Sequence, residues 1–110
     1  CIYESHKIAY VGMCNLTNNN QQWNWLQEDK LLHLRTGQCL AITRSKVAHS
    51  SKVVVANCSE APSWTCYSSE GLLEVKNSSL FLEKRSSRVV VKKGRKYPHS
   101  WKKLDVNEKG

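Results

Sequence analysis

The residues best suited to chemistry lie late in the chain. Lys92, Lys93, Arg95 and Lys96 surround Gly94, and Tyr97 and His99 follow directly. Ammonium and guanidinium groups around a turn grip sulfate or carboxylate oxygens through charge-assisted hydrogen bonds, and the tyrosine adds a ring and a hydroxyl. The same cluster equally suits a solvated hairpin tip or a surface that docks on protein. Positive charge beside His99 favours its neutral form, which suits a histidine that reports endosomal acidity. His33 stands inside an apolar run and reads as a hydrogen-bonded, half-buried side chain, and His49 lies in a polar loop. Catalysis finds no support: paired carboxylates, a Gly-rich phosphate loop, H-E-x-x-H and G-x-S-x-G are all missing from the sequence. Neither a cofactor nor a metal is expected.

Those basic residues dominate the charge balance. Residues 76–110 hold eleven Lys and Arg against three acids, whereas residues 1–75 hold six of each, so the whole excess of +8 lies in the last third. One side of the molecule should therefore carry a positive potential, open to sulfated glycans or an acidic protein. Nucleic acid is not expected, because charge alone supports it and no recognition motif accompanies the charge.

The cysteines predict the compartment. Cys1 and Cys14 flank a short apolar stretch, as do Cys39 and Cys58, and neither pair has the C-x-x-C spacing of zinc or redox sites. We expect disulfides Cys1–Cys14 and Cys39–Cys58, each contributing about 3 kcal/mol in the loop-entropy model. Cys66 is left over, which suggests a partner outside these 110 residues. Asn15-Leu16-Thr17 and Asn77-Ser78-Ser79 are glycosylation sequons, and Asn57-Cys58-Ser59 fits formally. Together these features point to an oxidising, extracellular setting, with any secretion signal already removed. No apolar run approaches the ~18 residues that span a bilayer, so no insertion of this segment is expected.

The elements that must position these residues repeat. Gln21-Gln22-Trp23, Pro62-Ser63-Trp64 and His99-Ser100-Trp101 align at intervals of 41 and 37 residues. Eight residues after the first two tryptophans come Leu31–Leu34 and Leu72–Val75, and eight further come Cys39–Ile42 and Leu80–Leu82. Lys52–Val55 and Arg88–Val91 complete the two units. Short β-branched or leucine-rich runs between polar turns read as strands, and only Gln22–Leu34 is ambiguous between helix and strand. Four strands per unit, three times over, predict an all-β barrel with hairpin caps, in one domain with repeats at roughly 1–26, 27–67 and 68–110. The first strand of repeat one is expected to be missing from this chain. Recurrence marks Trp23, Trp64 and Trp101 as core. Trp25 occurs once and is also expected in the core, and Gln21 is expected to pin backbone groups near its tryptophan.

Gln-x-Trp at this interval resembles the ricin B-type (R-type) lectin domain, a β-trefoil. Trp23-Asn24-Trp25 followed by Leu31-Leu32-His33-Leu34 is similar to the first repeat of the cysteine-rich domain of the mannose receptor family, and Trp64-Thr65-Cys66 is similar to its second repeat. Arg95 to Trp101 looks most like the branch containing the secretory phospholipase receptor and the avian yolk-antibody receptor. The resemblance implies an amino-terminal module of a type I endocytic receptor, with Cys66 pairing to a cysteine shortly after the third tryptophan. It also implies a site for 4-sulfated N-acetylgalactosamine, with a stacking tryptophan three residues before the third signature tryptophan. Pro98 stands there. A prolyl ring stacks less well and brings no N–H donor, so that sugar site is expected to be lost. Two roles follow: packing against neighbouring receptor modules or a protein ligand, or binding of sulfated glycans through the basic third repeat.

Overall fold

The computed structural model describes residues 1–15, 17–43, 50–67, 71–93 and 101. These form ten strands and one 3-10 turn at Asn19–Gln21, with no α-helix among the described residues. The strands are β1 (Ile2–Ser5), β2 (Ile8–Val11), β3 (Trp23–Trp25), β4 (Leu31–His33), β5 (Cys39–Ile42), β6 (Ser50–Ala56), β7 (Trp64–Tyr67), β8 (Leu72–Val75), β9 (Leu80–Arg85) and β10 (Arg88–Lys93). Gln22–Leu34 resolves into β3 and β4, because Leu31 and Leu32 pair across the turn with Trp25 and Asn24. Bulky residues on a two-residue period gain more from that pairing than from a helix too short to bury a face.

All pairings are antiparallel, and the sheet runs β3-β4-β5-β6-β2-β10-β9-β8-β7, with β1 on β2. Three hairpins, β1–β2, β5–β6 and β9–β10, supply its centre. Their second strands meet pairwise: Ile8 opposes Val54, Val90 opposes Lys52, and Arg88 opposes Tyr10. Each of β2, β6 and β10 thus touches the other two, a three-membered ring of strands. Hairpin turns add to it, since the Ser87 carbonyl accepts from the Val11 amide at 2.7 Å and the Lys7 carbonyl from the Val55 amide at 2.9 Å.

The core is drawn from strands across the sheet. Ala9, Leu40, Val53, Trp64, Val75, Leu82, Val89 and Val91 form one buried cluster, with Trp23 and Trp101 packed against it. Alternation along β10 buries Val89 and Val91 while Arg88 and Lys92 stay exposed. A second cluster of Cys39, Ala41 and Ala61 surrounds the Cys39–Cys58 disulfide. The other disulfide joins Cys1 to Cys14. Both belong in an oxidising environment. No helix among the described residues is long and apolar enough to cross a membrane.

The tryptophans carry the clearest regularity. Trp23 Nε1 donates to the Ile2 carbonyl at 3.0 Å, Trp64 Nε1 to the Leu40 carbonyl at 3.0 Å, and Trp101 Nε1 to the Leu82 carbonyl at 2.9 Å. Ile2, Leu40 and Leu82 lie on β1, β5 and β9, the first strands of the three central hairpins. Backbone anchoring repeats too: the Trp64 and Trp101 amides donate to the Asp29 and Gly71 carbonyls, each at 2.7 Å. Trp64 and Trp101 are thus each held by the indole N–H and by the backbone amide.

Candidate functional site

The β9–β10 hairpin divides the late basic residues between its two ends. Arg88 pairs with Arg85 at the turn, where Ser86 takes a φ of 56°, and Lys84 is adjacent. Lys92 and Lys93 pair with Phe81 and Leu80 at the opposite end. Four residues of strand separate Arg88 from Lys92, about 13 Å at the usual rise per residue. Arg85, Arg88, Lys92 and Lys93 are exposed. Near this turn the Cys1 backbone nitrogen donates to the Gly12 carbonyl at 2.7 Å. Lys92 and Lys93 are the only members of the expected anion-binding cluster within the described residues. Arg95, Lys96, Tyr97 and His99 lie outside them, as do Gly94 and Pro98.

The remaining singled-out residues occupy distinct places. Gln21 does pin backbone groups, but those of residues 13 and 15: it accepts from the Asn15 amide at 2.6 Å and donates to the Met13 carbonyl at 2.9 Å. It thereby fixes the chain on either side of Cys14. His33 is fully buried, tilted over Trp23 at 4.6 Å between ring centroids. The Asn20 carbonyl, 2.6 Å from Nε2, can only accept, so Nε2 carries a proton; Nδ1 faces the Thr36 hydroxyl at 2.9 Å. Asn15 and Asn77 are exposed. Within the first sequon the Thr17 hydroxyl donates to Asn15 Oδ1 at 2.8 Å. Cys66 is a free, exposed thiol.

Trp25 departs from the core expectation, with 37% of its surface exposed. It follows Trp23 by two residues and so shares that side of β3, yet it lies toward the turn, where the core has ended. There it lines a groove of about 370 Å³ together with Asp29, Trp64, Thr65, Cys66 and Lys76. Two hairpins make the walls, β3–β4 on one side and β7–β8 on the other. They are joined by the Trp64 amide on the Asp29 carbonyl at 2.7 Å and by the Ser63 hydroxyl on the Glu28 carbonyl at 2.7 Å. Lys76 and Asp29 span the rim as an ion pair at 3.3 Å. Behind it, the buried Glu74 accepts from the Tyr67 hydroxyl at 2.7 Å and the Ser79 amide at 2.9 Å. These bonds tie β8 to β7 and to the turn that follows it. The groove was not legible in the sequence, because its rim pair is 47 residues apart. One signal was available: Trp25 breaks the repeat, and an indole without a counterpart has no structural position to inherit.

Among the described residues, no group of three or more His, Cys, Asp or Glu side chains is placed to hold a metal ion. No family model matches the chain, and no curated protein matches it significantly.

Proposed function

We propose that this chain is a non-catalytic, extracellular β-trefoil module of the ricin B-type, cysteine-rich class, carried by a type I endocytic receptor of the mannose receptor family. Its role is to pack on neighbouring modules or to recognise a protein, using the positive β9–β10 hairpin. One observation carries the architecture: the same indole-to-strand hydrogen bond recurs at Trp23, Trp64 and Trp101, each on the first strand of a central hairpin. The ring of β2, β6 and β10 pairings supports it, because threefold barrel closure requires each unit to touch both others. The role rests on exposed cations spread along a hairpin, which suits an extended acidic surface better than one compact anion. Pro98 at the position of the stacking tryptophan argues the same way.

A second reading, binding of sulfated glycans, is favoured by Lys92 and Lys93, both exposed at one end of β10. Immobilised sulfated glycans separate the two. Under the first reading the chain binds them weakly, with a steep salt dependence and no preference among sulfated competitors. Saturable binding that survives about 0.15 M salt, prefers sulfated N-acetylgalactosamine and drops with Lys92→Glu overturns the first reading in favour of the second.

A further inference from the structure

We infer that the turn end of the β9–β10 hairpin and the adjoining β1–β2 hairpin form one docking surface for an extended acidic peptide segment bearing an aromatic side chain; this rests on the protein-recognition role proposed above. The strand registers line up four side chains. Tyr3 on β1 opposes Tyr10 on β2, Tyr10 opposes Arg88 on β10, and Arg88 opposes Arg85 on β9. Directly opposed residues share a face of a sheet, so the four make a row across four strands, about 15 Å long at the usual spacing. That face is the outer one. Ile2, Val11, Val89 and Val91 pack on the core side, and the two-residue period turns Tyr3, Tyr10 and Arg88 away from it. Both arginines are exposed and both tyrosines half-buried.

Each half of the row has its own chemistry. The two tyrosine rings stack, with centroids 5.7 Å apart and 28° between their planes. Gly12 makes room for them, since a Cβ there would stand 2.9 Å from Tyr3 Cε1. The Val11 amide, bonded to the Ser87 carbonyl at 2.7 Å, ties this apolar platform to the turn between the arginines. Like charges directly opposed weaken a strand pair, and among the described residues no acid forms an ion pair with Arg85 or Arg88. Glu83, two residues from Arg85, faces Val90 instead, with Lys52 on the other side of Val90. Glu4 follows Tyr3 and so takes the opposite face, and it accepts from the Lys7 amide at 2.9 Å. Arg85, Arg88 and Lys52 thus outnumber Glu83, and the patch is positive, with two guanidinium forks to receive carboxylates.

Spacing defines the partner. The middle of the arginine pair and the middle of the tyrosine pair are two strands apart, about 10 Å. An extended peptide rises about 3.3 Å per residue and turns alternate side chains to one side. Asp-x-Asp-x-Phe therefore sets two carboxylates over the arginines and a ring over the tyrosines, all from one side of the peptide.

The test titrates the whole chain into fluorescein-labelled Ser-Asp-Ser-Asp-Ser-Phe-Ser at about 0.15 M salt, followed by anisotropy. Its isomer Ser-Asp-Ser-Asp-Phe-Ser-Ser has the same charge but carries the ring on the wrong side. A Kd of about 100 µM is expected for the first peptide, and binding about tenfold weaker for the second. Arg88→Gln should weaken the first by about tenfold and Tyr10→Leu by about fivefold. Lys92→Glu with Lys93→Glu should change it by less than about twofold, because those lysines stand beyond the Debye length. Arg88 is exposed, so Arg88→Gln keeps the fold whatever Tyr10→Leu does. Equal affinity for the two peptides, or a larger loss from the lysine pair than from Arg88→Gln, overturns the docking surface and leaves a charge-driven protein-recognition role standing. Tighter binding to phosphatidylserine vesicles than to the peptide overturns it in favour of a lipid surface. No binding of either peptide even at about 0.01 M salt overturns the docking surface and the proposed role together.

Discussion

At the scale of single residues, Trp64 is anchored twice. It is 1% exposed, its indole N–H holds the Leu40 carbonyl, and its amide holds the Asp29 carbonyl. Trp64→Ala removes the largest fully buried side chain and should cost about 3–5 kcal/mol. Trp64→Phe keeps most of the apolar volume but leaves the Leu40 carbonyl unpaired, at about 1–3 kcal/mol. Urea titration with an unchanged m-value is the check, and equal losses for the two variants would show that the hydrogen bond, which both remove, outweighs packing. The Lys76–Asp29 pair is the opposite case. Both partners are half exposed, so Lys76→Gln should change stability by less than about 0.5 kcal/mol. A larger loss in the same titration would mean that the pair holds the two hairpins together, which the backbone bonds beside it already do.

Hairpins are the working elements, and their turns carry strain that substitution can relieve. His6 and Lys7 connect β1 to β2 with φ of 51° and 68°, the left-handed pair that a two-residue turn requires and that Asn-Gly adopts most readily. The double substitution His6→Asn, Lys7→Gly should stabilise the chain by about 1 kcal/mol, seen as a raised thermal midpoint. The backbone bonds of this turn, including the Lys7 carbonyl to Val55, are kept. Breaking Cys39–Cys58 should act in the other direction. It closes a loop of 19 residues, and the Cys39→Ala, Cys58→Ala variant should lose about 3 kcal/mol in chemical denaturation. These elements were largely legible beforehand, because Leu31, Leu72, Cys39 and Leu80 stand at fixed offsets from a tryptophan and a β-strand imposes little else on its sequence. What the offsets could not convey was direction. Trp25 shares the side of Trp23 but lies past the end of the core, and only pairing between strands far apart in the sequence decides where that core ends. Asp29 and Lys76 meet across two hairpins at a separation that no local pattern encodes.

For the whole molecule, the question is whether the positive charge acts as one field or as separate contacts. The linear sequence places the excess in one block, yet the β9–β10 hairpin folds that block back on itself, with Arg85 and Arg88 at one end and Lys92 and Lys93 at the other. A separation of about 13 Å exceeds the Debye length of about 8 Å at physiological salt. The two ends are therefore screened from each other there, whereas at about 0.01 M salt, with a Debye length near 30 Å, they merge. Two variants with the same change of net charge exploit this: Arg85→Glu with Arg88→Glu, and Lys92→Glu with Lys93→Glu. At low salt both should reduce binding to an acidic protein surface equally, because only the summed charge of +8 less four counts. Near 0.15 M salt their effects should diverge, with the larger loss, about tenfold, marking the end of the hairpin that makes contact. Binding measured across that salt range by surface-immobilised titration decides it. Equal effects at every salt concentration would mean that the partner is held by the diffuse field alone, and that neither end of the hairpin is a recognition site.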